Sequence, residues 1–492
     1  MSSRSFVSRW PLWALALALA AAAPLAAQSP HDLVTRAVGA LGGEQAVRSV
    51  TGVTWDYHST IFGLGQSELP ESPARATVSY GRGVHDYRGW RRALSQENRL
   101  LTGVVQRQRL AVTATTGMNE INGQPAPVGL GQLRFMRLSP ERLLLTALDN
   151  PGWLGAQPTR TLRGAPHDGV RLAGGPDTVT IWFDRVTGLP VVVETLTDDP
   201  VLGDRATQWW LTRYQPAGPI LWPRQWDIVV NGQLQQHFYV TTATANAAIP
   251  ESLFAMPDSI ARRTLPPTPP PPAPLVVTLN ELAPGVWRAE GSTHHTLVVE
   301  QGNQLVLIEA PQSTQRVRAV LDTLRSRFPN KRVGLVVATH YHWDHAGGLR
   351  EIVAENIPIV TLEANAAFIR QMAAAPRTVA PDLQAQRRRR PNLRTFTDSL
   401  IIGDGGGMVV LYRTPTVHAE GLLSAWVPSA RVLFTSDVLQ PGREPVAGGQ
   451  RRAGGAGPVT RPGAGAVRRR ARRGSGVARR GARGRQVAPG SA

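Results

Sequence analysis

The 492-residue chain contains no cysteine. That excludes disulfides, a lipid-modified N-terminal cysteine and thiolate metal ligands, so a metal site here has to be built from His, Asp and Glu. Lysine is nearly absent too: Lys331 stands alone among many arginines. Arg, Ala, Gly and Pro share GC-rich codons, and the bias is read as the mark of a GC-rich gene rather than of phosphate binding. After the first thirty residues no apolar run approaches the roughly 20 residues needed to span a bilayer. Histidine, finally, is missing from everything after His418.

What is present begins with "MSSRSFVSRWPLWALALALAAAAPLAAQSP", in which Arg4 and Arg9 precede an apolar run from Trp10 to Ala23 and then small residues. This predicts a signal peptide over 1–27, cut near Ala27 or Gln28, and a periplasmic or secreted protein with no transmembrane span after cleavage. A membrane anchor is the other reading, but the run is short for one.

The net charge of +19 is unevenly spread. Residues 447–492 hold twelve arginines and no acid, and 34 of these 46 residues are Arg, Gly or Ala. With no aromatic residue, Leu or Ile, this tail cannot bury a core and is expected to be disordered. Elsewhere the basic residues are scattered, apart from "RRRR" at 387–390, read as a solvated loop or helix end. No specific nucleic-acid partner is expected, and the partner looked for is a small-molecule substrate. Oligomeric state is left open.

Between the termini, two folded regions flank "LPPTPPPPAPL". Residues 29–262 open with a short helix and continue in alternating apolar and polar stretches with hairpin chemistry at "DRVTG" and "VNGQ", which predicts a mainly antiparallel β domain. Its "WFDRVTGLP" and "IPESLFAMP" resemble β half-barrels of the bacterial lipoprotein-carrier type. His31, His58, His85, His167 and His237 are scattered through it and are read as structural. Residues 263–275 form a stiff linker. From 276 to 446, strands come first without helices and then alternate with them, predicting a layered α/β domain.

The chemistry sits in "ATHYHWDHAGGLR" at 338–350. An apolar strand, "VGLVVAT", ends where the histidines begin. Two residues apart on extended backbone, His340 and His342 can project the same way onto one ion, and Asp344 and His345 on the next turn can reach a second. The motif resembles the HxHxDH signature of the metallo-β-lactamase superfamily, and the resemblance covers about 276–445, including "LAPGVWRAEGSTHHTLVVE", "TPTVHAEGLLSAWVP" and "RVLFTSD". It implies an αβ/βα sandwich, incomplete at its C-terminal end. It further implies a first zinc on His340, His342 and His418, a second on Asp344 and His345, and Asp437 bridging them.

Members of the superfamily carry one more histidine about 40–60 residues past the bridging aspartate, and the sequence has none there. The segment is then either a genuine basic tail or the product of a frame shift near codon 445, a reading its length favours. One tight zinc is expected, with the second weak or absent. The implied activity is zinc-dependent hydrolysis of an ester, lactone, thioester or related bond, impaired by the missing ligand, with Asp344 moving the proton. Asp437, where true β-lactamases mostly carry Cys or Ser, points away from β-lactams. The alternative is a periplasmic binding protein that holds an apolar ligand in its β domain beside a vestigial metal domain.

Overall fold

A computed structural model of the chain describes residues 28–100, 103–266, 274–439 and 459–460. Residues 1–27, read above as a signal peptide, most of the proline-rich linker and all but two residues of the basic tail lie outside the described residues. Among the described residues no helix is long and apolar enough to cross a membrane.

The N-terminal region is one 13-stranded sheet in which every neighbouring pair is antiparallel. Its first strand, β1 (Gly52–Gly63), pairs on one side with β2 (Arg75–Asp86) and on the other with the last strand, Gln233–Ala245. Along β1, Val53, Trp55 and Tyr57 turn inward while Thr54 and Asp56 lie half-buried, the period-2 pattern of a strand with one face in the core. Asn231 and Gly232, both at positive φ, form the expected tight turn of the last hairpin.

Two helices pack on the inner face. Pro30–Leu41 starts with a Ser29–Asp32 capping box and buries Leu33, Val34, Ala37, Val38 and Leu41. Pro140–Asp149 buries Leu143, Leu144 and Ala147 in the same core.

Sequence patterning left this second helix unassigned, along with the strands Arg91–Arg99 and Val105–Val112. Gly81 and Gly83 read as a break, yet β2 runs through both in continuous register with β1. A Cβ at Gly83 would meet the Trp55 ring and one at Gly81 the Ser95 carbonyl and the Tyr57 hydroxyl, so only glycine fits there.

The second region is layered as expected. A seven-stranded sheet is antiparallel through its first four strands and parallel from Gln304–Ile308 onward. One face carries the helices Thr314–Arg327, Leu349–Ala354 and Glu363–Ala374 through a core that includes Val320, Ile352 and Ile369. The other face packs on a five-stranded antiparallel sheet through Leu297, Val306, Leu411, Ala425 and Phe434. Val459–Thr460, the two described residues of the tail, pair with Phe434 and Leu433. The arginine run closes a helix end: Arg387 and Arg389 both donate to the Ala354 carbonyl, where the helix dipole favours cations.

Polar contacts tie the regions together on two sides. Arg377 forms an ion pair with Asp198 at 2.6 Å, and Asp204 accepts from the Thr378 amide and hydroxyl. On the other side, the segment between β1 and β2 reaches the carboxyl ends of the parallel strands, where open α/β sheets place their ligands.

Candidate metal centre

The six residues singled out in the sequence converge. His340, His342, His418 and Asp437 form one group whose ligand atoms lie within 4.8 Å of one another, all four residues buried. Asp344 and His345 lie beside them in a second group. His340 follows the strand Arg332–Val337, whereas Asp344 and His345 lie on the short helix Trp343–Ala346. His418 sits in the connection before the strand Leu423–Val427, and Asp437 just after Val432–Phe434.

Hydrogen bonds fix which nitrogen His340, His342 and His345 turn toward the centre. His342 Nε2 donates to the Ser67 carbonyl at 2.8 Å, which leaves Nδ1 bare, 2.9 Å from His418 Nε2. Glu309 Oε1 accepts from His345 Nδ1 at 2.8 Å, from Thr339 Oγ1 at 2.8 Å and from Ser436 Oγ at 2.7 Å. With those hydroxyl protons committed to Glu309, His340 Nδ1 donates to the Thr339 oxygen 3.2 Å away. Nε2 of both His340 and His345 then points inward, where each is buried without a hydrogen-bond partner, as is Asp437 Oδ2. Around Asp437 Oδ2 stand His418 Nε2 at 2.9 Å, His345 Nε2 at 3.1 Å and His340 Nε2 at 3.8 Å.

This donor set fits a divalent cation. Tetrahedral ligands about 2.1 Å from zinc stand about 3.4 Å apart, close to the separations around Asp437 Oδ2. The electrostatics agree. Burial, reinforced by neighbouring histidines, keeps His340 and His342 well below the ordinary imidazole range, so both are neutral and ready to ligate. Burial opposes ionisation of Asp437, yet His345 and His418 hold it far below the usual carboxylate range. Burial also opposes charge on His345, but Glu309 and Asp437 push it well above its ordinary value. The carboxylates thus draw positive charge to this point, carried by the proton on His345 or by a cation that replaces it.

Two participants were missed from the sequence. Glu309 ends the apolar run "QLVLIEAP", and that position was the only available signal; it orients His345 as a carboxylate–histidine pair. His294 lies in "STHHTLVVE", where it reads as the approach to a buried strand; its Nε2 stands 3.3 Å from Asp344 Oδ2.

The backbone here is under strain. Glu309, Gln312 and Ser436 have φ of 74°, 66° and 50°. Non-glycine residues in that region cost on the order of 1–3 kcal/mol each and are retained where surrounding contacts over-determine them.

Residues 289–473 match the model of the metallo-beta-lactamase superfamily. The C-terminal region has the metallo-β-lactamase fold. The match runs past 446 into the arginine-rich segment. Over 159 residues the chain is 26% identical to the 2,4-dinitroanisole O-demethylase subunit alpha of Nocardioides sp. (strain JS1661). That stretch takes in 32% of this chain and 44% of the relative, so less than half of the curated relative is spanned. Among solved structures, the metallo-beta-lactamase from Pontibacter korlensis is similar at 20% identity and a TM-score of 0.28, covering 34% of this chain and 74% of that one. The metallo beta lactamase from Hirschia baltica is similar at 17% and 0.27, covering 34% and 74%.

Proposed function

We propose that the chain is a zinc-dependent hydrolase of an ester, lactone, thioester or related substrate. The observation that carries this reading is the gathering of His340, His342, His345 and His418 around the buried Asp437 carboxylate, with His340 Nε2, His345 Nε2 and Asp437 Oδ2 left without hydrogen-bond partners. A metal ion held there supplies a Lewis acid and lowers the pKa of water toward about 7 in the case of zinc. His340, His342 and His418 would hold a first ion, Asp344 and His345 a second, with Asp437 within reach of both. The Gln66 amide donates to Asp344 Oδ1 at 3.2 Å, while Oδ2 faces His294 and His345. Oδ1 is therefore the oxygen that takes the proton of the attacking water and returns it to the leaving group. Gln66, Ser67 and Tyr341, whose hydroxyl donates to the Ser67 carbonyl at 2.5 Å, shield this chemistry from bulk water.

The test uses full-length protein, zinc-loaded or chelated, on a panel of aryl esters, lactones and thioesters. 2,4-Dinitroanisole joins the panel because the demethylase subunit is named for it. Zinc-dependent turnover of an ester, lactone or thioester that is lost in His342→Ala supports the proposal. Zinc-loaded protein that turns over no member of the panel, or only the ether, overturns it. Export is part of the same reading, and an intact mass lacking residues 1–27 in exported material would support it.

A second reading, a binding protein for an apolar ligand, has one observation in its favour. The N-terminal sheet encloses a cavity of about 100 Å³ lined by Trp55, Trp209, Trp226 and Phe238. Buried Arg92 and His85 also face it, with Arg92 Nε and His85 Nε2 unpaired. Burial lowers the Arg92 guanidinium to about 10, so an anionic head group on an apolar chain would be welcome there. Quenching of tryptophan fluorescence by a medium-chain carboxylate, lost in Arg92→Leu, is the expected result. The absence of quenching would remove this reading.

A further inference from the structure

We infer that His294 is a ligand of the second metal position, giving that position three protein donors before Asp437 is counted. The inference rests on reading the site as a metal centre and goes beyond the ligand set expected from the motif, which left Asp344 and His345 with only the bridging carboxylate for company.

The geometry is that of a ligand set. His294, Asp344 and His345 are all buried, and their ligand atoms lie within 4.8 Å of one another. His294 Nε2 is 3.3 Å and His345 Nε2 3.8 Å from Asp344 Oδ2, bracketing the spacing of about 3.4 Å between tetrahedral zinc ligands. The two imidazole planes stand at 88° with centroids 4.9 Å apart, edge to face rather than stacked. Both Nε2 atoms are buried without a hydrogen-bond partner. At the other end of His294, Nδ1 lies 2.9 Å from Thr293 Oγ1, which accepts from Gln312 Nε2 at 2.8 Å. The Thr293 oxygen can accept from Nδ1–H as well, and that tautomer leaves Nε2 bare.

The loop that presents His294 is built to hold it still. Arg316, 1% exposed, donates to Ser292 Oγ and to the Ala289 and Glu290 carbonyls, and Ser292 Oγ donates to the His294 carbonyl at 2.6 Å. Gly291, at φ 115°, passes so close to the Val276 carbonyl that no side chain fits there. A fully buried arginine spent on the end of the strand Val286–Glu290 and on the Ser292 hydroxyl in the turn that follows is costly unless the position of that turn matters. The Gln312 amide donates to the Asp344 carbonyl at 3.2 Å, which ties the same neighbourhood to the second ligand.

A plain ion pair between His294 and Asp344 is the competing account, and metal counting separates the two. Full-length protein is stripped and dialysed against buffered zinc, and zinc per chain is measured; cobalt(II) is then titrated with its visible d–d absorbance as readout. Wild type is expected to hold two ions. His294→Ala and His294→Gln are expected to hold one at unchanged affinity, with the second weakened about 100-fold or more, and His294→Asp to recover part of the second. Retention of the first ion shows that the variants are folded.

If His294→Gln, which keeps a hydrogen-bond donor to Asp344, binds both ions as wild type does, His294 is only a partner of Asp344 and the inference falls. If wild type holds one ion and His294→Ala changes nothing, the inference falls while the metal-centre reading stands. Wild type that binds no zinc overturns both.

Discussion

Two buried carboxylates, one in each region, show the difference between a structural acid and a functional one. Glu141, fully buried in the N-terminal core, accepts from the Tyr87 hydroxyl, from Ser139 Oγ at 2.7 Å and from Trp222 Nε1 at 3.1 Å. All its partners are protein donors, and nothing is left over. Asp437 is nearly as buried, but it faces imidazole nitrogens that approach without hydrogen-bond geometry. A buried polar group left in that condition costs about 1–3 kcal/mol, which a fold does not carry without return. The contrast teaches that burial alone does not mark a site; unfinished hydrogen bonding does.

The largest effect that would sharpen this contrast comes from His342→Ala. Removing a bare donor should abolish the tight ion and lower zinc-dependent turnover by more than about 100-fold, the upper end for groups one shell further out. Zinc analysis and steady-state rates check it, and a variant that keeps both breaks the comparison. Glu309→Gln should do less, weakening metal affinity about 10–100-fold because the ligand His345 remains but loses its anchoring charge. Competition with a zinc chelator gives the number.

Glu141→Leu should leave zinc content untouched and lower stability by a few kcal/mol, since three buried donors lose their acceptor at about 1–3 kcal/mol apiece before relaxation. Thermal unfolding with parallel metal analysis tests both halves of that statement. A change in zinc content would mean that the two acids are not distinct in kind.

The smallest expected effect is in acid stability. Burial opposes ionisation of Asp382, but Arg350, the Ala385 amide and Arg377 bring its pKa down to about 2. A carboxylate depressed in the folded state contributes stability above its unfolded pKa of about 3.9 and loses it as pH falls through the folded value. Asp382→Asn should therefore flatten the melting profile between about pH 4 and about pH 2 and leave its slope above pH 5 alone. An unchanged acid limb would count against the pairing.

The parts legible in the sequence were those written over a short span. His340, His342, Asp344 and His345 share six residues, so strand and turn periodicity alone placed them together. The layered order of the second region was legible too, because each strand and helix carried its own apolar rhythm. Glu309 and His294 were not, since they meet the motif only after separate strands pair, and neither neighbourhood has a spacing that singles it out. In the first region, "RRALSQENR" carries few apolar residues and reads as coil; its strand exists because both neighbours supply ladder partners. The helix Pro140–Asp149 was hidden by its brevity: one buried turn and a half of leucine is as good a strand by composition.

One contact changes what can be learned from comparing relatives of this chain. His342 is oriented by the carbonyl of Ser67, 275 positions earlier and in the other region. Because the acceptor is main chain, every amino acid at 67 offers it, and a small residue that fits the buried space of Ser67 keeps the contact. What cannot vary is the number of residues between β1 and β2, since a single insertion would carry that oxygen away. The letter at position 67 would then be held by its buried volume alone, whereas the orienting contact is held by the spacing around it. The orientation of His342 thus depends on spacing more than on residue identity in this segment, and a deletion scan across 64–74 would reveal more than an alanine scan.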